Sequence, residues 1–165
     1  FIHNRHLDNI DIPRFEGWWG HEKSSRFETA NIFKPLKTAE AWQLSNPPIL
    51  SMAPLLASLE IFHEVGMDKL CQQSNKLTTY LESRLLEELS DKIQIITPAS
   101  LQSRGCQLSF RLNKKIENII DILYYNGIIC DLRSPNIIRV APVPLYNSFN
   151  DCSLFVKKLK NILDG

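Results

Sequence analysis

The spacing of apolar residues changes twice along this chain, and each change marks a different kind of structure. Up to about residue 48 no period is visible; His, Arg, Asn, Trp and Pro are frequent, which predicts loops with at most short strands or helical turns. From Pro47 the pattern becomes helical, with Ile49, Met52, Ala53, Leu56, Leu59 and Phe62 on one face. Asn46 is suited to cap this helix, Pro47 to occupy its first turn, and Gly66 to end it. A second helix follows, with Leu70, Leu77, Leu81, Leu85 and Leu89 forming one stripe among polar residues.

After Asp91 the period shortens to that of strands. Ile93 to Thr97 is one, and Cys106, Leu108, Phe110 and Leu112 alternate with Gln107, Ser109 and Arg111 in another, so that one sheet face is covered. Ile116, Ile119, Ile120 and Leu123 predict a helix stopped by Asn126-Gly127, followed by strands at Ile128 to Leu132 and Ile137 to Ala141 around the turn Arg133-Ser134-Pro135-Asn136. A last helix starts near Ser148, which forms a capping box with Asp151, and its stripe is Cys152, Phe155, Val156, Leu159, Ile162 and Leu163. The order β-β-α-β-β-α predicts an α+β fold: a small, mainly antiparallel sheet with helices packed on one face. Three segments result: a loop-rich 1–48, connecting helices over 49–90, and a small domain over 91–165.

Composition narrows the function classes. A chain of 165 residues with 44% hydrophobic and 22% charged residues belongs to the ordinary globular class. Its formal net charge of +1 and dispersed lysines give no basic face for nucleic acid or an anionic membrane. No apolar run approaches the length of a bilayer span. Cys71, Cys106, Cys130 and Cys152 are scattered and lack zinc-type spacing, which argues against a metal site and predicts reduced, largely buried thiols of a cytoplasmic protein. The chain opens on Phe1-Ile2-His3-Asn4, which reads as the middle of an element and leads us to expect sequence upstream.

Three places could carry chemistry. In Gly17-Trp18-Trp19-Gly20-His21, glycines allow positive φ or close backbone approach, while two indoles supply broad apolar faces and N–H donors. That inventory suits an aromatic cofactor bearing a phosphate, and equally two large core plugs. Arg139 lies in the apolar strand Ile137-Ile138-Arg139-Val140-Ala141, where its fork needs an anion: a substrate carboxylate, or an internal Asp or Glu. Asn46, in Ser45-Asn46-Pro47-Pro48, offers an amide to a ligand or a cap to the helix. His21, Glu22, Arg26 and Tyr146 could add acid, base or anion-binding groups near the tryptophans.

Several stretches in order then meet a family. Gly17 to His21, Arg26-Phe27, Ser45 to Leu50, Ala57 to Phe62, Arg104 to Leu108 and Ile138 to Phe149 together resemble kynureninase over essentially the whole chain. The resemblance implies a fold type I enzyme using pyridoxal 5′-phosphate (PLP), which hydrolyses L-kynurenine or its 3-hydroxy form to an anthranilate and L-alanine in tryptophan catabolism and NAD biosynthesis. It implies that residues 1–48 end the large PLP-binding domain and that 91–165 form the small C-terminal domain. Residue by residue, Trp18 matches the tryptophan on the PLP phosphate, Asn46 the asparagine at the cofactor and substrate pocket, Arg139 the arginine on the substrate α-carboxylate, and His21 a histidine near the substrate ring. It further implies a homodimer with the active site at its interface, Trp18 and Asn46 reaching the neighbouring subunit's cofactor. The family's Schiff-base lysine has no counterpart here, since the segment around Lys23 does not match its motif; it is expected upstream of Phe1, leaving this chain inactive alone. Two alternatives are another fold type I PLP enzyme, a cysteine desulfurase or aminotransferase, and a non-catalytic dimerisation or interaction module.

Overall fold

In a computed structural model of the chain, which describes residues 1–7, 11–28 and 31–165, the protein divides into two compact units, Phe1–Ser58 and Leu59–Gly165. The first unit is as irregular as its sequence. Among its described residues, regular structure consists of three short 3₁₀ turns, Asn4–His6, Trp18–Gly20 and Ala39–Trp42, an isolated bridge between His21 and Pro35, and the start of helix α1 (Ile49–Val65).

The second unit holds the sheet. Strands β1 (Ile93–Ile95), β2 (Leu108–Leu112), β3 (Asp131–Arg133) and β4 (Ile137–Val140) form one antiparallel sheet in the order β1-β2-β4-β3. Register places Ile93 opposite Leu112, Phe110 opposite Ile138 and Leu108 opposite Val140, so one face is aliphatic and aromatic. Helices α2 (Met67–Leu89), α3 (Ile119–Tyr125) and α4 (Phe149–Asp164) supply the rest of the core. Leu77, Leu81, Leu85 and Leu89 of α2, Ile119 and Leu123 of α3, and Cys152, Val156 and Leu159 of α4 cluster with those strand residues. This is the expected α+β arrangement, fully antiparallel.

Local signals explain most boundaries. Gly66, at φ 83°, separates α1 from α2. After α3, Gly127 takes φ 73° while Ile128 N–H donates to Leu123 O and Gly127 N–H to Tyr124 O, the paired bonds of a Schellman stop. The Ser148 and Asp151 capping box opens α4 as predicted. The strands and α3 are shorter than the apolar runs suggest: α3 begins at Ile119, with Asn118 in the left-handed region at φ 53° before it.

Two readings are corrected. Asn46 does not cap α1: the helix starts at Ile49, where Ser51 and Met52 N–H both donate to Pro48 O, and the Asn46 side chain makes no hydrogen bond among the described residues. The thiols are free but not largely buried, for Cys71 is exposed, Cys106 and Cys130 are half-buried, and Cys152 alone is buried. Among the described residues no single helix is long and apolar enough to cross a membrane.

Candidate functional site

The glycines of the tryptophan turn are required by close approach. A Cβ on Gly17 would lie 2.1 Å from the backbone of Leu44, and one on Gly20 would lie 2.5 Å from that of Ala41. The turn therefore lies directly on the Ala39–Trp42 segment, with Trp19 N–H donating to Leu44 O and Leu36 N–H to Gly20 O. Trp18 and Trp19 meet edge to face at 5.2 Å. They differ in exposure: Trp19 is half-buried, whereas Trp18 is 42% exposed and, among the described residues, its Nε1–H reaches only Ser45 Oγ, at 3.4 Å.

His21 closes the turn and is tied into it. Lys34 N–H donates to Nδ1 at 3.3 Å, so the ring proton sits on Nε2, which faces the buried Ser25 hydroxyl at 3.0 Å. Arg26 lies behind the two indoles, 5.0 Å from the Trp19 ring and 5.7 Å from the Trp18 ring. Asn46 is exposed, one residue from the Ser45 that meets Trp18. Thus Trp18, His21 and Asn46 share the first unit.

Arg139 belongs to the second unit, on the sheet face opposite the helices. Register sets it between Ser109 of β2 and Asp131 of β3. Its Nη2 pairs with Asp131 Oδ2, which also accepts from Arg133 Nη2 at 3.3 Å. The internal acid considered from sequence is therefore present, and it occupies only one arm; no other hydrogen bond from this guanidinium forms among the described residues. Beside it, burial pushes the Cys130 thiol up to about 11, helped by the negative charge of Asp131. Asp131 was missed from the sequence. Its signal was a carboxylate alternating with apolar residues in a short strand two strands' length from Arg139.

Of the other singled-out residues, Arg104 is scaffolding. The Arg104 side chain is 2% exposed and donates to Glu82 at 2.7 Å and to Pro98 O at 3.4 Å, joining α2 to the loop before β2. Tyr146 is exposed, and no hydrogen bond from its hydroxyl forms among the described residues.

Comparisons with known proteins agree with one another. Residues 70–159 match the family described as the kynureninase C-terminal domain. Kynureninase of Myxococcus xanthus is 50% identical over 161 residues, and that of Koribacter versatilis is 49% identical over 158. These alignments cover 97% and 96% of this chain but 38% and 37% of the relatives, so the chain spans about two fifths of their length. Among solved structures, a cysteine desulfurase from Thermococcus onnurineus superposes with TM-score 0.81 at 17% identity, covering 100% of this chain and 42% of that one. A cystine C–S lyase in complex with cysteine persulfide gives 0.72 at 17% identity, with 99% and 40% covered. At that identity the two structures establish the shared fold, while the sequence relatives establish descent: this chain belongs to the kynureninase family and carries its C-terminal domain.

Proposed function

We propose that the complete protein is a PLP-dependent kynureninase, releasing anthranilate or 3-hydroxyanthranilate and L-alanine from L-kynurenine or 3-hydroxy-L-kynurenine in tryptophan catabolism and NAD biosynthesis. The observation that carries this reading is the tryptophan turn: an exposed indole N–H with a single long hydrogen bond, beside an arginine that no carboxylate pairs with among the described residues. Such a donor set fits a phosphate-bearing cofactor. When bound, PLP supplies an electron sink for bond cleavage at the substrate carbons.

The chain's own residues then bind and orient. Trp18 Nε1 donates to the cofactor phosphate, and the Asn46 amide, free of any capping duty, serves cofactor and substrate together. The unengaged arm of Arg139 takes the substrate α-carboxylate in a charge-assisted fork while Asp131 holds the other side. His21 has both ring nitrogens engaged, Nδ1 by Lys34 N–H and Nε2 by the Ser25 hydroxyl, so its Nε2 edge meets the substrate ring by exchanging the Ser25 contact. A cytoplasmic homodimer is part of this reading, as is the expectation that the 165-residue chain alone turns over no kynurenine.

Arg139→Ala in the complete enzyme should lose about 1.5–3 kcal/mol in kcat/KM, mostly as a rise in KM, because a charge-assisted hydrogen bond to the carboxylate is cut. Anthranilate fluorescence measures it. Unchanged kinetics would remove Arg139 from substrate binding, and no anthranilate from the wild-type enzyme would overturn the whole reading.

A further inference from the structure

We propose that Arg26 is the positioning residue of the tryptophan turn, fixing the direction in which Trp18 presents its indole N–H to an anionic cofactor group. This rests on the reading of Trp18 as a phosphate donor. Backbone accounting around the turn leads to it. Gly17 O accepts from Gly20 N–H, Trp18 O from His21 N–H, and Gly20 O from Leu36 N–H. Among the described residues the carbonyls of Trp19 and His21 are left without a backbone donor, and Arg26 Nη2 donates to both, at 2.7 Å and 3.3 Å.

The same guanidinium faces both indoles, 5.0 Å and 5.7 Å from their centroids. One planar cation therefore joins the two otherwise unanswered carbonyls to the two rings whose mutual angle sets where Trp18 points. A lysine ammonium has no flat fork with which to span two carbonyls while lying against aromatic faces. Arg26 Nε is buried without a hydrogen-bond partner, and no carboxylate pairs with the side chain among the described residues. The turn thus keeps a guanidinium unpaired by any carboxylate of the described residues close to its exposed N–H donor, a polarity that suits a phosphate.

A double-mutant cycle on PLP affinity tests this, using apoenzyme of the complete protein and equilibrium dialysis against PLP for Trp18→Phe, Arg26→Gln, the double variant and Arg26→Lys. Trp18→Phe and Arg26→Gln should each weaken PLP binding by about tenfold or more, the range for losing one charge-assisted hydrogen bond. The double variant should fall within about twofold of the weaker single variant, since Arg26 acts through Trp18. In the apoenzyme of the complete protein, Arg26→Gln should reduce the near-ultraviolet circular dichroism of the tryptophans and weaken PLP binding at temperatures where the far-ultraviolet signal is still that of the folded enzyme, which a purely structural role would not do.

If Trp18→Phe binds PLP normally, the phosphate reading of Trp18 fails and takes this proposal with it. If Trp18→Phe weakens binding and Arg26→Gln does not, the positioning role alone is overturned. Additive losses would show Arg26 acting independently of Trp18, and full affinity in Arg26→Lys would show that charge suffices without the fork; either overturns it. Should Arg26→Gln not accumulate, Arg26→Lys carries the test, with weakened PLP binding expected.

Discussion

Helices α1 and α2 are parted by a single residue, Gly66, yet α1 has no buried residue while α2 buries Leu70, Leu77, Thr78, Leu81, Leu85 and Leu89. Composition alone would rank them the other way, because α1 is the more apolar of the two. What separates them is arrangement. Leu70, Leu77, Leu81, Leu85 and Leu89 of α2 fall on one stripe with polar residues around it, and the sheet with α3 and α4 covers that stripe. In α1, Ile49, Met52, Leu56, Leu59 and Phe62 make a stripe, but Leu50, Leu55 and Ile61 stand outside it, and all eight are exposed. A helix apolar on every side needs cover on more than one side, and the described residues do not provide it.

The sharpest way to break this comparison is a truncation on the buried side. Leu85 is 0% exposed and packs in the cluster with β2, β4 and α4. Leu85→Ala should destabilise the chain by about 2–5 kcal/mol through lost burial and the cavity left behind, read from the urea midpoint of the far-ultraviolet signal. A loss below about 1 kcal/mol would mean that the α2 stripe is not the core of this unit.

A smaller effect tests whether α4 is held by its end as well as by its stripe. Ser148→Ala removes the hydroxyl that accepts from Asp151 N–H and donates to Asp151 Oδ2, and should cost about 1 kcal/mol. Its partner adds a pH dependence. The Ser148 backbone N–H first, and the Ser148 hydroxyl second, hold the Asp151 carboxyl below its ordinary value of 3.8. A carboxyl depressed in the folded state contributes stability that is present above that ordinary value and is lost as pH falls through the folded one. The gap between wild type and Ser148→Ala should therefore be constant near neutrality and narrow in acid. A gap that widens in acid would refute the capping box as its source.

The stripe of α2, the capping box and the Gly127 stop were legible because each is a local pattern whose partner lies within a few residues. The helix α1 was legible in the same way and its lack of burial was not, because periodicity counts the residues that fit a face and ignores Leu50, Leu55 and Ile61, which do not. Around Arg139 the sequence showed that an anion was needed and left its identity open, because Asp131 becomes a neighbour only through the β3 and β4 register. At the tryptophan turn the two glycines were recognisable, but the physical reason is contact with Leu44 and Ala41 backbone at long sequence separation, where either reason given for glycine was open beforehand. Arg26 was visible as a charge near the tryptophans, and its double carbonyl contact depends on a backbone path that no spacing rule encodes.

The smallest expected effect is the most informative about α1. Leu50 is 91% exposed, so Leu50→Ala removes little buried surface, and the chain should lose no more than about 0.5 kcal/mol. Helix propensity changes little, since Leu and Ala are both strong helix formers. The measurement is the urea midpoint of Leu50→Ala beside that of Leu85→Ala, repeated at two protein concentrations a hundredfold apart. If the Leu50 variant loses more than about 1 kcal/mol at both concentrations, α1 is covered within the chain and its contrast with α2 dissolves. If the loss appears only at the higher concentration, copies of the chain cover α1, because stability shared with a partner follows mass action. A midpoint that stays put at both keeps the contrast: one helix whose leucines hold the fold, and beside it one whose leucines do not.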